Sequence, residues 1–108
     1  MKHSFNFLIK KLQKECVNSK GYLGVDLDDI HGETEEEKID VLFHRIMIEI
    51  MNLSETGYEY TLEYDDDAPF RSEYHVNLHI KRLIKFLKKY MSEHYIQERG
   101  NKIWELIK

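Results

Sequence analysis

Tyr58-Glu59-Tyr60-Thr61-Leu62-Glu63-Tyr64, then Asp65-Asp66-Asp67-Ala68-Pro69, then Tyr74-His75-Val76-Asn77-Leu78-His79-Ile80: the fold turns on these three segments. In the first, Tyr58, Tyr60, Leu62 and Tyr64 alternate with polar residues, and three of the four are aromatic, as half-buried strands prefer. Three aspartates and a proline stop the run. Tyr74, Val76, Leu78 and Ile80 then alternate again, which predicts a partner strand and a hairpin closed by a long acidic loop. Val76, Ile80, Leu83 and Leu87 also fit a helix, so the competing expectation is a mainly α-helical bundle.

On either side of this stretch the patterns are helical. Phe5, Leu8, Ile9, Leu12 and Cys16 recur at helical spacing between Ser4 as cap and Gly21 as terminator, predicting an amphipathic helix over 5–19. Leu23, Val25 and Leu27 alternate with Gly24, Asp26 and Asp28 as a short strand. Thr34 and Glu37 have capping-box spacing, and Glu35 to Glu37 suit the positive end of a helix dipole. The helix they open is apolar on both sides, with Val41, Ile48 and Met51 added to the main stripe of Ile39, Leu42, Phe43, Ile46, Met47, Ile50 and Leu53, which places it at the centre of the core or against another chain. From Lys81 to Tyr95 the period is again helical, with Lys81, Arg82, Lys85, Lys88 and Lys89 opposite the apolar side. A last short helix around Trp104 follows Gly100 and Asn101. The expected architecture is therefore a single α+β domain over 1–108, in the order helix, strand, helix, β-hairpin, helix, helix, with the helices on one face of a small sheet.

The net charge of −4 over 108 residues hides a segregation. Residues 1–20 carry +4, residues 21–70 carry −13 and residues 71–108 carry +5. Such a distribution steers an oppositely charged partner toward the acidic middle, or lets parts of one domain neutralise each other. One cysteine excludes an internal disulfide and a C-x-x-C pair, which suits a reducing compartment. The N-terminal apolar stretch is interrupted by Asn6, Lys10 and Lys11, unlike a secretory signal, and no run approaches the ~18 apolar residues of a membrane span. A cytoplasmic protein without a membrane partner is the expectation.

Candidate sites follow from residue type and spacing. His75 and His79 have the H-x-x-x-H spacing of zinc ligands on a helix, but on a strand they stand ~13 Å apart. In the hairpin, Glu63 faces His75, Thr61 faces Asn77 and Glu59 faces His79, so each imidazole meets a carboxylate that raises its pKa. Asp26, Asp28 and Asp29, with Asp65, Asp66 and Asp67, each follow an expected strand and can converge on Mg²⁺, although aspartates also simply make turns. His94 and Cys16 sit on apolar stripes as packing residues. No nucleophile elbow, P-loop or dinucleotide fingerprint is present, so no catalytic residue and no cofactor is expected.

The functional expectation is a small non-enzymatic inhibitor of the immunity, antitoxin or phage anti-defence kind, occupying a basic nuclease or other nucleic-acid enzyme. Asp26, Asp28, Asp29, Glu59, Glu63, Asp65, Asp66 and Asp67 would mimic phosphates, and Tyr58, Tyr60 and Tyr64 would add rigid contact area if their strand is accessible, the competing expectation being that these tyrosines belong to the core. The alternative is a nucleic-acid-binding regulator working through residues 81–89, dimeric through the surplus apolar surface of 41–51. A metal-dependent hydrolase is the third.

Overall fold

The computed structural model describes residues 3–91 and 93–99, apart from the side chains of Glu93, His94 and Arg99. The expectations for the His94 side chain and for the helix around Trp104 lie outside the described residues. Among the described residues four α-helices follow one another: α1 (Phe5–Cys16), α2 (Glu35–Thr56), α3 (Glu73–Tyr90) and α4 (Glu93–Arg99), with a 3₁₀ turn at Gly57–Tyr60 continuing α2. Among the described residues the sole extended pairing is an isolated bridge between Thr61 and Phe70. The α+β expectation is overturned: among the described residues there is no hairpin and no sheet, and the helical alternative is the one realised.

Helices α1 and α2 begin where their caps dictate. The Ser4 hydroxyl accepts from Phe7 N–H at 3.1 Å and opens α1, which ends at Cys16, earlier than the expected residue 19. The Thr34 hydroxyl accepts from Glu37 N–H at 3.1 Å, and the Glu37 carboxylate reaches back to Glu33 N–H at 2.9 Å, one residue before the cap. Helix α3 packs against both α1 and α2. Leu8, Leu12 and Cys16 of α1, Ile39, Leu42, Phe43, Ile46 and Ile50 of α2, and Leu83, Phe86 and Leu87 of α3 form the main core. Val41, Met47 and Met51 also pack onto it, which absorbs most of α2's second apolar side; Ile48 remains exposed. The basic helix stops at Tyr90, and α4 returns Tyr95 to Phe43 in an edge-on contact with ring centroids 5.0 Å apart.

The hairpin fails because α3 starts at Glu73 and runs without interruption to Tyr90. Its buried stripe is Val76, His79, Leu83, Phe86, Leu87 and Tyr90, a helical series that includes a histidine, whereas Tyr74, a member of the apparent alternation, is 69% exposed. An isolated hairpin is marginal in water, while an 18-residue helix satisfies its own backbone and adds a stripe to an existing core. The other half of the supposed hairpin is displaced by Gly57. A Cβ there would lie 2.6 Å from Val76 Cγ1, so only glycine lets the 3₁₀ turn seat directly on α3.

Leu23 to Leu27 form no strand either. Gly24 has φ +84°, and a Cβ on it would collide with the Glu49 carboxylate. The segment is pinned to the helices individually: Val25 is buried, and the Leu23 carbonyl accepts from His79 Nε2 at 2.9 Å.

Candidate functional site

Between the 3₁₀ turn and α3, residues 61–70 close into a loop whose ends are clamped together. Leu62 N–H donates to the Phe70 carbonyl at 2.9 Å and Phe70 N–H to the Tyr60 carbonyl at 3.1 Å. Thr61, fully buried, donates its hydroxyl to the Tyr58 carbonyl at 2.8 Å. Below the clamp, Leu53, Phe70 and Val76 form a second small core, with Tyr22 edge-on to Phe70 at 5.1 Å between centroids. Asn18 Nδ2 donates to the Pro69 carbonyl at 3.1 Å and ties the loop to the segment after α1. A closed-ended loop packed on its own residues is a rigid platform rather than a floppy connection.

On this platform the structure gathers seven of the eleven candidate residues. Glu59, Glu63, Asp65, Asp66 and Asp67 are all exposed, and among the described residues none is ion-paired. Tyr58 and Tyr64, 45% and 63% exposed, stand edge-on to each other with ring centroids 6.0 Å apart. Tyr60, the third tyrosine of the run, turns inward and accepts from Asn52 Nδ2 at 3.0 Å. Beside Tyr58, Glu55 and Glu73 line a cavity of about 180 Å³ between the end of α2 and the start of α3. A cleft with two carboxylates and an aromatic wall suits one cationic side chain.

Asp26, Asp28 and Asp29 are not part of this surface. Asp29 accepts from Arg45 at 3.2 Å, half-way along α2 and ~16 Å of helix from its C-terminal end. The expected convergence of the two aspartate clusters is therefore corrected. Asp26 and Asp65 each cap a turn through their own carboxylates, to Asp28 N–H at 3.1 Å and Asp67 N–H at 3.0 Å. Among the described residues no three His, Cys, Asp or Glu side chains group as metal ligands.

The histidine pairings are corrected as well. His75 Nδ1 meets the Ser72 hydroxyl at 3.0 Å and His79 Nε2 meets the Leu23 carbonyl, so neither ring is paired with Glu59 or Glu63. Burial holds the His79 imidazole below its ordinary pKa. Cys16 is buried, its thiol pushed up to about 12 by desolvation, and its Sγ contacts the Arg82 carbonyl at 3.5 Å, as a packing cysteine should.

Two features escaped sequence reasoning. One is Tyr22 and Glu49, 27 residues apart, whose hydrogen bond is formed only by the fold. The other is a cavity of about 320 Å³ on the far side of the Pro69–Arg71 segment, where Lys20, Arg71 and Arg82 come together from three parts of the chain. No family model, curated protein or solved structure matches this chain. No helix among the described residues is long and apolar enough to cross a membrane.

Proposed function

We propose that the chain is a protein-binding module that presents the loop 58–67 to a basic surface, in the manner of an inhibitor of a nuclease or another nucleic-acid enzyme. The observation that carries the reading is the exposed Tyr58–Tyr64 pair set among Glu59, Glu63, Asp65, Asp66 and Asp67 on a clamped loop. Unpaired carboxylates steer a cationic partner and stand in for phosphates, and tyrosines supply contact area at little entropic cost. The cleft between Glu55 and Glu73 offers a pocket for one lysine or arginine of that partner. A free, buried cysteine supports a reducing compartment such as the cytoplasm.

The test is affinity capture of the tagged chain from lysate of its own organism, with one arm treated with nuclease, followed by reconstitution with the purified candidate. The reading predicts a stoichiometric basic protein that survives nuclease and whose affinity falls as salt rises. Recovery that disappears with nuclease would instead favour nucleic-acid binding through the exposed lysines of α3.

A further inference from the structure

We infer that the cavity between the 18–20 segment, the 69–71 segment and α3 receives the C-terminal carboxylate of a peptide chain, which Lys20, Arg71 and Arg82 hold while the preceding residues lie across Pro69 toward Asp66 and Asp67. This rests on the reading of the chain as a protein-binding module and names the part of the partner that is recognised: a free C-terminus with an apolar last residue and basic residues before it.

The cavity, about 320 Å³, is lined by three cations from separate parts of the chain and by no carboxylate, although the chain carries 20 Asp and Glu against 16 Lys and Arg. Like charges gathered in one concavity repel one another. Neither the Arg71 nor the Arg82 guanidinium has an acceptor among the described residues to offset this. Both residues are exposed, so their forks are open to a carboxylate, which a guanidinium binds through two parallel bonds. Lys20 Nζ reaches the Ala68 carbonyl at 3.5 Å and keeps two further donors. Pro69, Phe70 and Leu78 supply apolar walls, which suit an apolar side chain beside the carboxylate.

Two observations select the end of a chain as the occupant. Lys20 and Pro69 also line a more open groove of about 450 Å³, whose other walls include Tyr22, Asp66 and Asp67, so the cavity continues into that groove. Leu78 and Arg82 of α3 line the cavity but not the groove, so α3 is the wall that stops a chain entering along it. The charge changes sign along this path, from cationic in the cavity to acidic at Asp66 and Asp67. Its complement is negative at its end and positive a few residues earlier. Asp66 and Arg71 are joined by at most ~18 Å of extended chain, and the turn closed by Ala68 N–H on the Asp65 carbonyl shortens that, so the basic residues fall within about four places of the ligand's end. The path is held open in advance: Asn18 Oδ1 accepts from Lys20 N–H and Tyr22 N–H, each at 2.9 Å, while its Nδ2 donates to the Pro69 carbonyl at 3.1 Å. One side chain thereby fixes both rims.

The experiment is fluorescence anisotropy titration of the full chain at pH 7 against four N-terminally labelled hexapeptides. The first ends in Lys-Lys-Leu with a free carboxylate, the second in the same residues as the amide, the third in Glu-Glu-Leu with a free carboxylate, and the fourth in Lys-Lys-Asp as the amide. The inference predicts saturable 1:1 binding of the first peptide and binding of its amide weaker by about tenfold or more, the scale of hydrogen bonds to a charged group. The third and fourth peptides also bind more weakly than the first. Arg71→Gln and Arg82→Gln, which alter exposed side chains, each weaken the first peptide by at least about threefold, the upper range for a solvent-screened charge pair, and shrink its advantage over the amide. The double variant Asp66→Asn/Asp67→Asn narrows the gap between the lysine and glutamate peptides. No saturable binding of the first peptide up to millimolar concentration, an amide that binds equally well, or arginine variants that bind like the parent would each overturn the inference. Equal binding of the aspartate amide would also overturn it, by assigning the cavity to side-chain carboxylates. Peptide binding alongside a capture that returns no basic protein keeps the inference and removes the basic-surface reading; a captured basic protein without peptide binding does the reverse.

Discussion

The Tyr22 hydroxyl donates to the Glu49 carboxylate at 2.8 Å, and through that bond the segment after α1 is fastened to the buried side of α2. Glu49 is 6% exposed, and burial lifts its pKa above the ordinary carboxylate value while the tyrosine pulls the other way. Removing the hydroxyl leaves a buried carboxyl group without its donor. Tyr22→Phe should therefore destabilise the fold by about 1–3 kcal/mol in urea denaturation at neutral pH, the usual cost of an orphaned buried polar group. A change near zero would mean that the bond contributes nothing.

The same pair sets a pH dependence. A carboxyl whose folded pKa is raised costs nothing when protonated in both states, and stability is lost as pH rises through the unfolded value of 4.5 toward the folded one. Glu49→Gln removes that loss. The stability difference between Glu49→Gln and the parent should shift in favour of the variant as pH is raised from 4 to 7, read from urea midpoints; a difference independent of pH contradicts the burial assignment.

His79 acts in the opposite sense. Its pKa is held below 6.5, chiefly by desolvation, so its contribution is complete above pH 6.5 and declines as pH falls through that value toward the folded pKa. NMR titration should place His79 below 6.5 with the hydrogen on Nε2 in the neutral ring. A titration at or above 6.5 would contradict the burial that lowers it, and an Nδ1–H tautomer would be inconsistent with the bond to the Leu23 carbonyl.

The helical identity of residues 73–80 is testable by paired substitutions. Val76 is 2% exposed and Tyr74 is 69% exposed, although both lie on the same side of the apparent strand pattern. Val76→Ala should cost about 1–3 kcal/mol through the cavity it leaves, whereas Tyr74→Ala should stay within about 0.5 kcal/mol. Comparable losses at both positions would restore the strand.

That contrast also explains what could be read in the chain and what could not. Ser4 and Thr34 announce α1 and α2 because a cap is a local event, decided by a side chain and a backbone donor three residues on. Tyr74 to Ile80 satisfies both a period of two and a helical period, and only the presence of a core to receive Val76 and His79 decides between them. The histidine inside the buried stripe weakened the helical pattern, yet it is buried because the Leu23 carbonyl lies opposite, 56 residues away. The loop 58–67 was legible as an acidic and aromatic surface, but its clamp through Thr61 and Phe70 was not, since backbone pairing leaves no mark in side-chain order. Lys20, Arg71 and Arg82 are scattered in sequence and meet only because Asn18 draws the Pro69 segment against the chain after α1.

The claim at the centre of the account is that the loop 58–67, rather than the basic face of α3, meets the partner. It is tested most directly by repeating the capture with two charge-reversed chains, Asp65→Lys/Asp66→Lys/Asp67→Lys and Lys85→Glu/Lys88→Glu/Lys89→Glu, after circular dichroism confirms that both retain the parent's helical content. The account predicts that the first loses the nuclease-resistant partner and the second keeps it. Retention by the first chain and loss by the second would contradict it and assign recognition to α3.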